Sequence, residues 1–247
     1  MIIFLIRSLA ILLFFAVTTG PEIPAGTVIP IMLSSELNVK KAKIGQQIEG
    51  KVMQDVPLSA DAKINKGSRV MGRIVSLTRP GSSGSSMVVQ FDTIEDHDRT
   101  IPIQTAALAI ASMGSVAQAQ VPINVASSDS DSVDQWTTRQ VGGDIVNRGR
   151  GKAGSPDGEL GRWLEGSSVM IKLAPNPGEG CPSGPGYDRE QAVWIFSSAA
   201  CGTYDLGPMK IASSGENAPF GDVTLKSDRD IAIRKGSGWL LITLAGK

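Results

Sequence analysis

The chain has 247 residues with 24 basic and 24 acidic side chains, so its formal net charge is zero and gives no support for binding to nucleic acid or to an acidic membrane surface. Apolar residues make up 41% of the chain and aromatic residues only 5%, whereas 28 glycines and 14 prolines favour many short strands joined by turns. We therefore predict an all-β protein, and the length predicts two small antiparallel domains, each a barrel or a sandwich.

Residues 1–20 have the pattern of a secretory signal peptide. Arg7 precedes a ten-residue apolar run at 8–17, and the small residues Thr18 and Thr19 follow. The run is too short to span a bilayer, and no cysteine follows it that would carry a lipid. We predict that residues 1–19 are removed and that the mature chain is exported to the periplasm or the extracellular space without a stable transmembrane anchor.

The motif Ile-x-x-Gly-[Thr/Ser] occurs at 23–27 and again at 64–68, each time before alternating apolar residues. Proline in second and glycine in fourth position of 23–26 indicate a type I turn, and 64–67 keeps the glycine. A strand is expected after each turn. The run 27–33 is almost entirely apolar, so we predict that it is buried on both faces or lies at a sheet edge, where Pro30 needs no hydrogen-bond partner.

Further strands are predicted at 44–52, 87–95 and 100–109. The last two flank Asp96–Arg99, which is typical of a hairpin with a four-residue polar loop, and the serine- and glycine-rich stretch 80–86 predicts an exposed connection. Together these strands predict an N-terminal β domain at 20–110. The small and polar residues at 111–140 predict a linker between domains.

A C-terminal β domain is predicted at 141–247. Its candidate strands are 168–173, 191–197, 209–213, 222–226, 231–234 and 239–244. Short turn-rich links between the last three strands indicate an antiparallel meander. The only two cysteines, Cys181 and Cys201, are expected to form a disulfide in an exported chain, and closing this loop stabilises the fold by about 3 kcal/mol in the chain-entropy interpretation. A reactive Cys201 thiol is the functional alternative.

Catalytic motifs are scarce. His97 is the only histidine, so nucleophilic catalysis by a Ser/His or Cys/His pair has to use it, whereas its acidic neighbours indicate an exposed turn residue. The stretch 129–134, DSDSVD, has the alternating carboxylates of a calcium loop but not its glycine or its distal glutamate. We predict no catalytic residues, no bound cofactor and no metal site.

Surface contacts are the remaining candidates. The stretch 147–152 is basic and glycine-rich but lacks the residues of a P-loop, so we interpret it as a solvated loop, with contact of Arg148, Arg150 and Lys152 to an anion or a polysaccharide as the alternative. Trp136 and Trp163 lie in turn-rich sequence and are candidates for exposed contacts. Trp194 and Phe196 are expected in the core, with a sugar- or peptide-binding platform as the alternative.

Two stretches carry a likeness to known proteins. Residues 23–30, IPAGTVIP, and 66–72, KGSRVMG, resemble motifs of the C-terminal periplasmic domain of the TrbI/VirB10 conjugation and type IV secretion scaffold family. The resemblance covers residues 23–109 and implies an envelope β-barrel that builds protein assemblies without catalysis. The tail at 190–244 is similar to tails of predicted exported bacterial proteins.

The sequence therefore predicts a non-enzymatic exported module of a bacterial envelope that binds a partner or serves as a scaffold. Its expected partner is an envelope protein or a cell-wall or polysaccharide component. Two alternatives stay open at this point. One is a secreted carbohydrate-active enzyme that uses two carboxylates, and the other is a protein that binds a small ligand or a metal.

Overall fold

The computed structural model of the chain describes residues 23–81, 84–121, 123, 137–143, 145–149, 152–155, 158–164, 168–175, 188–214 and 221–245. In this part, the first strands are β1 (Val28–Leu33), β2 (Leu37–Asn38), β3 (Gln47–Val52), β4 (Val56–Pro57), β5 (Lys63–Ile64), β6 (Arg69–Gly81), β7 (Gly84–Asp96), β8 (Arg99–Pro102) and β9 (Thr105–Ala111). The helix α1 (Met113–Ala119) follows. The later strands are β10 (Thr137–Arg139), β11 (Ile145–Gly149), β12 (Lys152–Ser155), β13 (Gly158–Leu164), β14 (Ser168–Lys172), β15 (Glu190–Ala192), β16 (Gly202–Tyr204), β17 (Lys210–Ser214), β18 (Asp222–Ser227), β19 (Ala232–Ile233) and β20 (Gly238–Thr243).

Ten strands form one large, nearly closed barrel-like sheet, which confirms the all-β prediction. The strand order is β16-β9-β20-β1-β3-β6-β7-β18-β17, and β8 pairs with β7 beside this path. The pairing of β16 with β9 is parallel, and the other pairings in this sheet are antiparallel. At the two ends of the strand order, Thr203 Oγ1 donates a hydrogen bond to the carbonyl of Met209 (2.7 Å), which ties β16 to the entry of β17.

Both predicted glycine turns exist, but each turn lies one residue later than predicted. The N–H of Thr27 donates to the carbonyl of Pro24 (3.2 Å), and the N–H of Ser68 donates to that of Asn65 (3.1 Å). Gly26 and Gly67 thus occupy the third turn position with φ of 76° and 97°. A positive φ at this position is the requirement of a type II turn, so the type I prediction is wrong.

Two more turns of the same kind precede β3 and β20. Gly45 and Gly236 also have positive φ, and the second belongs to a third Ile-x-x-Gly-[Thr/Ser] motif, at 233–237. In each of the four turns, the glycine N–H donates to a carbonyl of a neighbouring strand, which belongs to the last residue of that strand in three turns and to Ile74, in the middle of β6, in the turn at Gly45. Gly26, before β1, binds β20, and Gly236, before β20, binds β1. Gly45, before β3, binds β6, and Gly67, before β6, binds β3. The four strands β20, β1, β3 and β6 are therefore adjacent and closed at both ends by reciprocal turns.

The barrel interior is filled by alternating apolar side chains of these strands. Ile29, Ile31 and Leu33 of β1 are fully buried, and Trp239 of β20 packs edge-on against Phe91 of β7 with ring centroids 5.6 Å apart. Burial of large aromatic and branched side chains is the main favourable contribution to a core of this type. The prediction that β1 is buried on both faces is confirmed, whereas the edge alternative is wrong because β1 lies between β20 and β3.

A second sheet covers the outer face of β9, β20 and β1. Its order is β10-β11-β12-β13-β14-β15, and its contact with the barrel forms a second apolar cluster that includes Leu240 and Ile242 on one side and Val169 and Ile171 on the other. At Gly238, a side chain would collide with Val116 of α1 and crowd Trp194 and Phe196. The glycine thus allows the helix and the segment after β15 to approach the barrel closely.

Two buried glutamines join the second sheet to the barrel. Gln54, after β3, accepts a hydrogen bond from the N–H of Trp194 (2.6 Å) and donates to the carbonyl of Val169 (3.1 Å). Gln191, in β15, accepts from the N–H of Val28 (3.1 Å) and donates to the carbonyl of Gly26 (3.1 Å). Each amide satisfies backbone groups on the opposite sheet, so the contact is specific as well as apolar.

These pairings correct the predicted split of the chain at residues 111–140. Strands from both sides of that segment belong to the same barrel, since β20 lies between β9 and β1. Within the predicted linker, residues 113–119 form α1, whose Val116 and Ala119 are buried.

The predicted meander of the last three strands is also wrong. β18 pairs with β7 and β17, β19 pairs with β2, and β20 pairs with β1 and β9. Long-range pairs that bury both faces replace the local hairpins.

Several local predictions change as well. The hairpin loop is His97–Asp98, two residues instead of four, because Asp96 and Arg99 pair with each other as strand ends. The predicted strand 191–197 ends at Ala192. Two residues later, Trp194 has a left-handed φ of 53°, and its N–H donates a hydrogen bond to Gln54. Within 80–86, Ser85 is buried in β7 and its hydroxyl donates to the carbonyl of Arg229. In the described part of the chain, no helix has the length and hydrophobicity needed to cross a bilayer.

Candidate functional site

The predicted surface residues are placed as follows. Trp136 and Arg150 lie outside the described residues, as does the stretch 129–134. Arg148, Lys152 and Trp163 belong to β11, β12 and β13, and their side chains are not among those described. The basic stretch is therefore not a loop throughout, because Gly149 pairs with Lys152 across a hairpin. The surface role of these five residues stays a prediction.

Cys201 is described, and no cysteine in the described part of the chain is free. Its predicted disulfide partner, Cys181, lies outside the described residues. The Cys181–Cys201 disulfide therefore stays a prediction.

His97 lies beside a fully buried carboxylate at the end of β7. Asp96 is 0% exposed, and its Oδ1 accepts hydrogen bonds from Asn65 Nδ2 (2.9 Å) and Ser68 Oγ (2.7 Å). Arg99 pairs with Oδ2, and His97 Nδ1 lies 3.1 Å from Oδ1. His97 has a left-handed φ of 55° at the first loop position. Both carboxylate oxygens are thus held by neighbours that fix the hairpin and the turn at Gly67.

The protonation of Asp96 follows from these contacts. Burial alone would raise the pKa of its carboxyl, but the hydrogen bonds from Asn65, Ser68, His97 and Arg99 lower that pKa far below its ordinary value. The group is therefore a permanent anion at neutral pH. An anion with all its partners in place stabilises structure and is poorly suited to accept or release a proton in a reaction.

Other acidic side chains of the barrel stand in exposed ion pairs. Arg73 of β6 pairs with Asp92 and also reaches the side chain of Gln90, and Arg69 pairs with Glu95. Asp222, on β18 beside Gln90, is mostly buried, and burial raises its pKa although the charge of Arg73 opposes this effect. Among the described residues, no group of three or more His, Cys, Asp or Glu side chains is arranged to hold a metal ion.

A cavity of about 600 Å³ opens where α1, β10 and β16 meet. Its described lining residues are Ser115, Gln118, Ala119, Val121, Ile123, Arg139, Gln140, Val141, Gly142, Gly143 and Tyr204. This volume is in the range of cavities that hold small organic ligands. None of these lining residues is an Asp or a Glu, so the lining offers no carboxylate pair for glycoside hydrolysis.

The elements around the cavity are fixed by backbone and side-chain hydrogen bonds. Ser112 caps α1 by accepting from the N–H of Ser115 (3.0 Å), and its hydroxyl donates to Asp205 (2.7 Å) next to β16. On the opposite wall, Val141 bonds to the segment after β15 through the carbonyl of Ile195 (2.8 Å). The cavity is therefore framed by anchored elements on both sides.

The wall at β10 carries buried polar atoms that have no hydrogen-bond partner. Gln140 is 3% exposed, and neither its Nε2 nor its Oε1 has a partner. The hydroxyls of Thr138, on the same face of the strand, and of Ser197 are also buried without a partner. These three residues hold four of the eight such atoms among the described residues. Of these three residues only Gln140 is among the residues that line the cavity, and buried polar atoms of this kind are commonly satisfied by ordered water.

The mouth of the cavity combines charge with exposed apolar surface. Arg139 is exposed and forms no ion pair with a described residue. Val121 and Ile123, which also line the cavity, are 57% and 52% exposed and add apolar surface at its mouth.

Sequence reasoning missed this site because residues 111–140 were interpreted as a linker. The signals that were present are weak. Thr137–Arg139 is a short strand pattern, and the pair Gly142–Gly143 marks the turn that ends it, both glycines having positive φ. No protein-family description matches the chain, and no curated protein matches it significantly. The function therefore has to be inferred from the residues themselves.

Proposed function

We propose that this chain is a non-enzymatic, exported binding module of a bacterial envelope. The observation that carries the proposal is the cavity of about 600 Å³ between α1 and β10, at which the exposed Arg139 forms no ion pair with a described residue. A concave site with an exposed guanidinium can hold a ligand by shape and by charge.

The polar groups of the barrel support binding over catalysis. His97, the only imidazole, is tied to Asp96, whose two oxygens are already occupied. General acid–base catalysis needs a group that changes protonation near the working pH, and the strongly lowered pKa of Asp96 does not provide one. These contacts stabilise one end of the barrel.

Export is supported by the leader at 1–19 and by the expected disulfide between Cys181 and Cys201. The resemblance of residues 23–109 to the TrbI/VirB10 scaffold family supports a place in the cell envelope. The anchored walls of the cavity support a binding role, because a rigid scaffold lowers the entropic cost of holding a ligand.

Site-specific photo-crosslinking in the producing cells tests the proposal. A benzophenone amino acid replaces Gln118, an exposed lining residue of the cavity, and in the matched control it replaces Gln47, an exposed residue of β3. We expect an envelope component to be captured from position 118 and not from position 47. Equal capture at both positions, or recovery of uncrosslinked monomer alone in the cytoplasmic fraction, contradicts the proposal.

A further inference from the structure

We propose that the end of the barrel around the turn at Gly45 binds peripherally to a membrane surface with anionic lipid headgroups. This surface is separate from the cavity, and the inference goes beyond the proposed function. Two observations carry it. An apolar side chain is exposed at the tip of that turn, and basic side chains are concentrated at the same end of the barrel.

Ile44 occupies the second position of the type II turn 43–46 and is 67% exposed. In the three equivalent turns described above, the second residue is Ala25, Lys66 or Lys235. A type II turn requires glycine or asparagine in its third position and makes no demand for an apolar side chain in its second. The fold therefore gives no reason for a branched apolar residue at this exposed position.

The exposed apolar surface continues from Ile44 onto β6. The N–H of Gly45 donates to the carbonyl of Ile74 (2.8 Å), so the turn lies directly against β6 next to Val75. Val75 is 37% exposed and is another of the few large apolar side chains of the described residues that face solvent. Two such residues from different elements thus lie at one place on the surface.

Three basic side chains surround this apolar surface. Lys41 and Lys43 precede Ile44, and the guanidinium of Arg79 donates to the carbonyl of Ala42 (3.4 Å), between the two lysines. All three side chains are exposed, and none forms an ion pair with a described residue. Their charges are therefore available to a partner.

These cations belong to a wider charge asymmetry of the barrel. The segments 34–46, 75–81 and 226–237 meet at this end and contain eight basic and three acidic residues. At the opposite end, the segments 53–68 and 95–99 contain three basic and five acidic residues. The zero net charge of the whole chain therefore hides an excess of positive charge at the end that presents Ile44.

An anionic bilayer matches both features of this surface. Its negative potential attracts lysine and arginine side chains, and apolar side chains insert between its headgroups. A soluble polyanion would pair with the cations but would leave Ile44 and Val75 in water. Because the apolar area is small, the contact is expected to be reversible and to weaken with salt.

Co-sedimentation of the purified mature chain with lipid vesicles tests the inference. The vesicles contain phosphatidylglycerol and phosphatidylcholine in equal amounts, and the control vesicles contain phosphatidylcholine alone. We expect binding to the anionic vesicles and little binding to the control vesicles. At an ionic strength of about 0.5 M, binding to the anionic vesicles is expected to be about tenfold weaker.

Two substitutions locate the contact. Lys43→Gln is expected to weaken vesicle binding about fivefold, whereas Lys51→Gln, the same change at an exposed site near the turn at Gly67, leaves it unchanged. Ile44→Ser is expected to weaken binding about tenfold, because the serine has no apolar side chain to insert. The melting temperature should stay the same, since Ile44 is exposed in the free protein.

A tryptophan placed at the turn reports insertion directly. Ile44→Trp and Lys66→Trp carry the same probe at equivalent turn positions at the two ends of the barrel. Brominated anionic lipids are expected to quench the fluorescence of Ile44→Trp more strongly than that of the parent chain. Lys66→Trp should show no more quenching than the parent chain.

The contrary results are distinct. Absence of binding to anionic vesicles, equal binding to both kinds of vesicle, equal quenching in the two tryptophan variants, or unchanged binding in Ile44→Ser or Lys43→Gln overturns the inference. Complete competition by dextran sulfate together with unchanged binding of Ile44→Ser would assign the surface to a soluble polyanion instead of a membrane. The crosslink from position 118 tests the cavity alone, so the proposed function can fail or stand independently of these results.

Discussion

Two buried glutamines in this molecule have opposite environments. Gln54, at the contact between the barrel and the second sheet, is 0% exposed and binds Trp194 and Val169 through both ends of its amide. Gln140, in the wall of the cavity, is nearly as buried, but neither end of its amide has a partner. The same side chain thus completes the structure in one region and leaves it incomplete in the other.

The difference shows how burial of a polar group separates a structural role from a binding role. An amide whose hydrogen bonds are all made adds to the stability of the fold, while an unpaired buried amide costs free energy until a ligand or solvent pairs with it. Asp96 is a charged group with the same structural role as Gln54, because both oxygens of its carboxylate have partners. Substitutions at these positions measure the difference directly.

The largest effect is expected at Asp96. Asp96→Ala leaves Asn65, Ser68 and Arg99 without their common acceptor, so the free energy of unfolding is expected to fall by about 2–3 kcal/mol. Urea denaturation followed by tryptophan fluorescence at pH 7 measures this loss. Asp92→Ala, on the same strand, breaks an exposed ion pair with Arg73 and should cost less than about 1 kcal/mol. Equal losses in the two variants would show that the buried partners of Asp96 contribute little.

The pH dependence of stability gives a second measure of Asp96. Its pKa is lowered in the folded state, so its contribution to stability is complete above the unfolded pKa of about 4 and is lost as the pH falls below that value. In Asp96→Asn, the free energy of unfolding should fall less steeply between pH 4 and pH 2 than in the parent chain. Asp222→Asn should act with the opposite sign and at higher pH. Burial raises the pKa of Asp222, so the parent chain loses stability as the pH rises above about 4, and the variant should remove that loss. A slope unchanged by Asp96→Asn is the contrary result.

A smaller loss is expected at Gln54. Gln54→Met keeps the volume but leaves the N–H of Trp194 without its acceptor and removes one of the two donors to the carbonyl of Val169, which should lower the free energy of unfolding by about 1–2 kcal/mol. Gln47→Met, an exposed change on β3, is the matched control and should have an effect below about 0.5 kcal/mol. Differential hydrogen exchange should place the loosened amides at β14 and at residues 193–196. Exchange confined to the barrel strands would contradict this assignment.

The smallest effect, with the opposite sign, is expected at the cavity. Thr138→Val replaces a buried hydroxyl that has no partner by a methyl group of similar size, so the free energy of unfolding should stay constant or rise by up to about 1 kcal/mol. Thr243→Val is the matched control, since the hydroxyl of Thr243 donates to the carbonyl of Pro24 (2.8 Å) and its loss should destabilise. Thermal unfolding of both variants decides the point. A clear loss of stability in Thr138→Val would show that its hydroxyl is already satisfied.

The sequence predicted the elements better than their partners. The presence of glycine turns before β1 and β6 was predicted correctly, although their register and type were not, and strands such as β1, β7 and β18 were found because the alternation of apolar residues is a local signal. The strands β10 to β13 of the second sheet were not predicted. The third turn motif, at 233–237, has the same residue pattern as the motifs at 23–27 and 64–68. Its position opposite β1 depends on pairing across more than 200 residues, which no local pattern encodes.

The cavity could not be predicted from the sequence for a related reason. Gln140 and Arg139 are ordinary polar residues in a stretch of mixed composition, and they become a site only when α1 and β16 lie against β10. Gln54 and Gln191 are likewise polar residues that the sequence places at the surface, but the contact between the barrel and the second sheet buries both side chains. Side-chain chemistry indicates function here only after the pairing of distant strands is known.

The position of β20 has a consequence for biosynthesis. Of the described strands this one comes last in the chain, yet it lies between β1 and β9, two earlier strands whose apolar residues face both the interior and the second sheet. Until β20 has been synthesised, β1 and β9 each have one strand edge without its hydrogen-bonded neighbour. Chains truncated before residue 238 leave one edge of β1 and one edge of β9 without this partner and are therefore expected to aggregate.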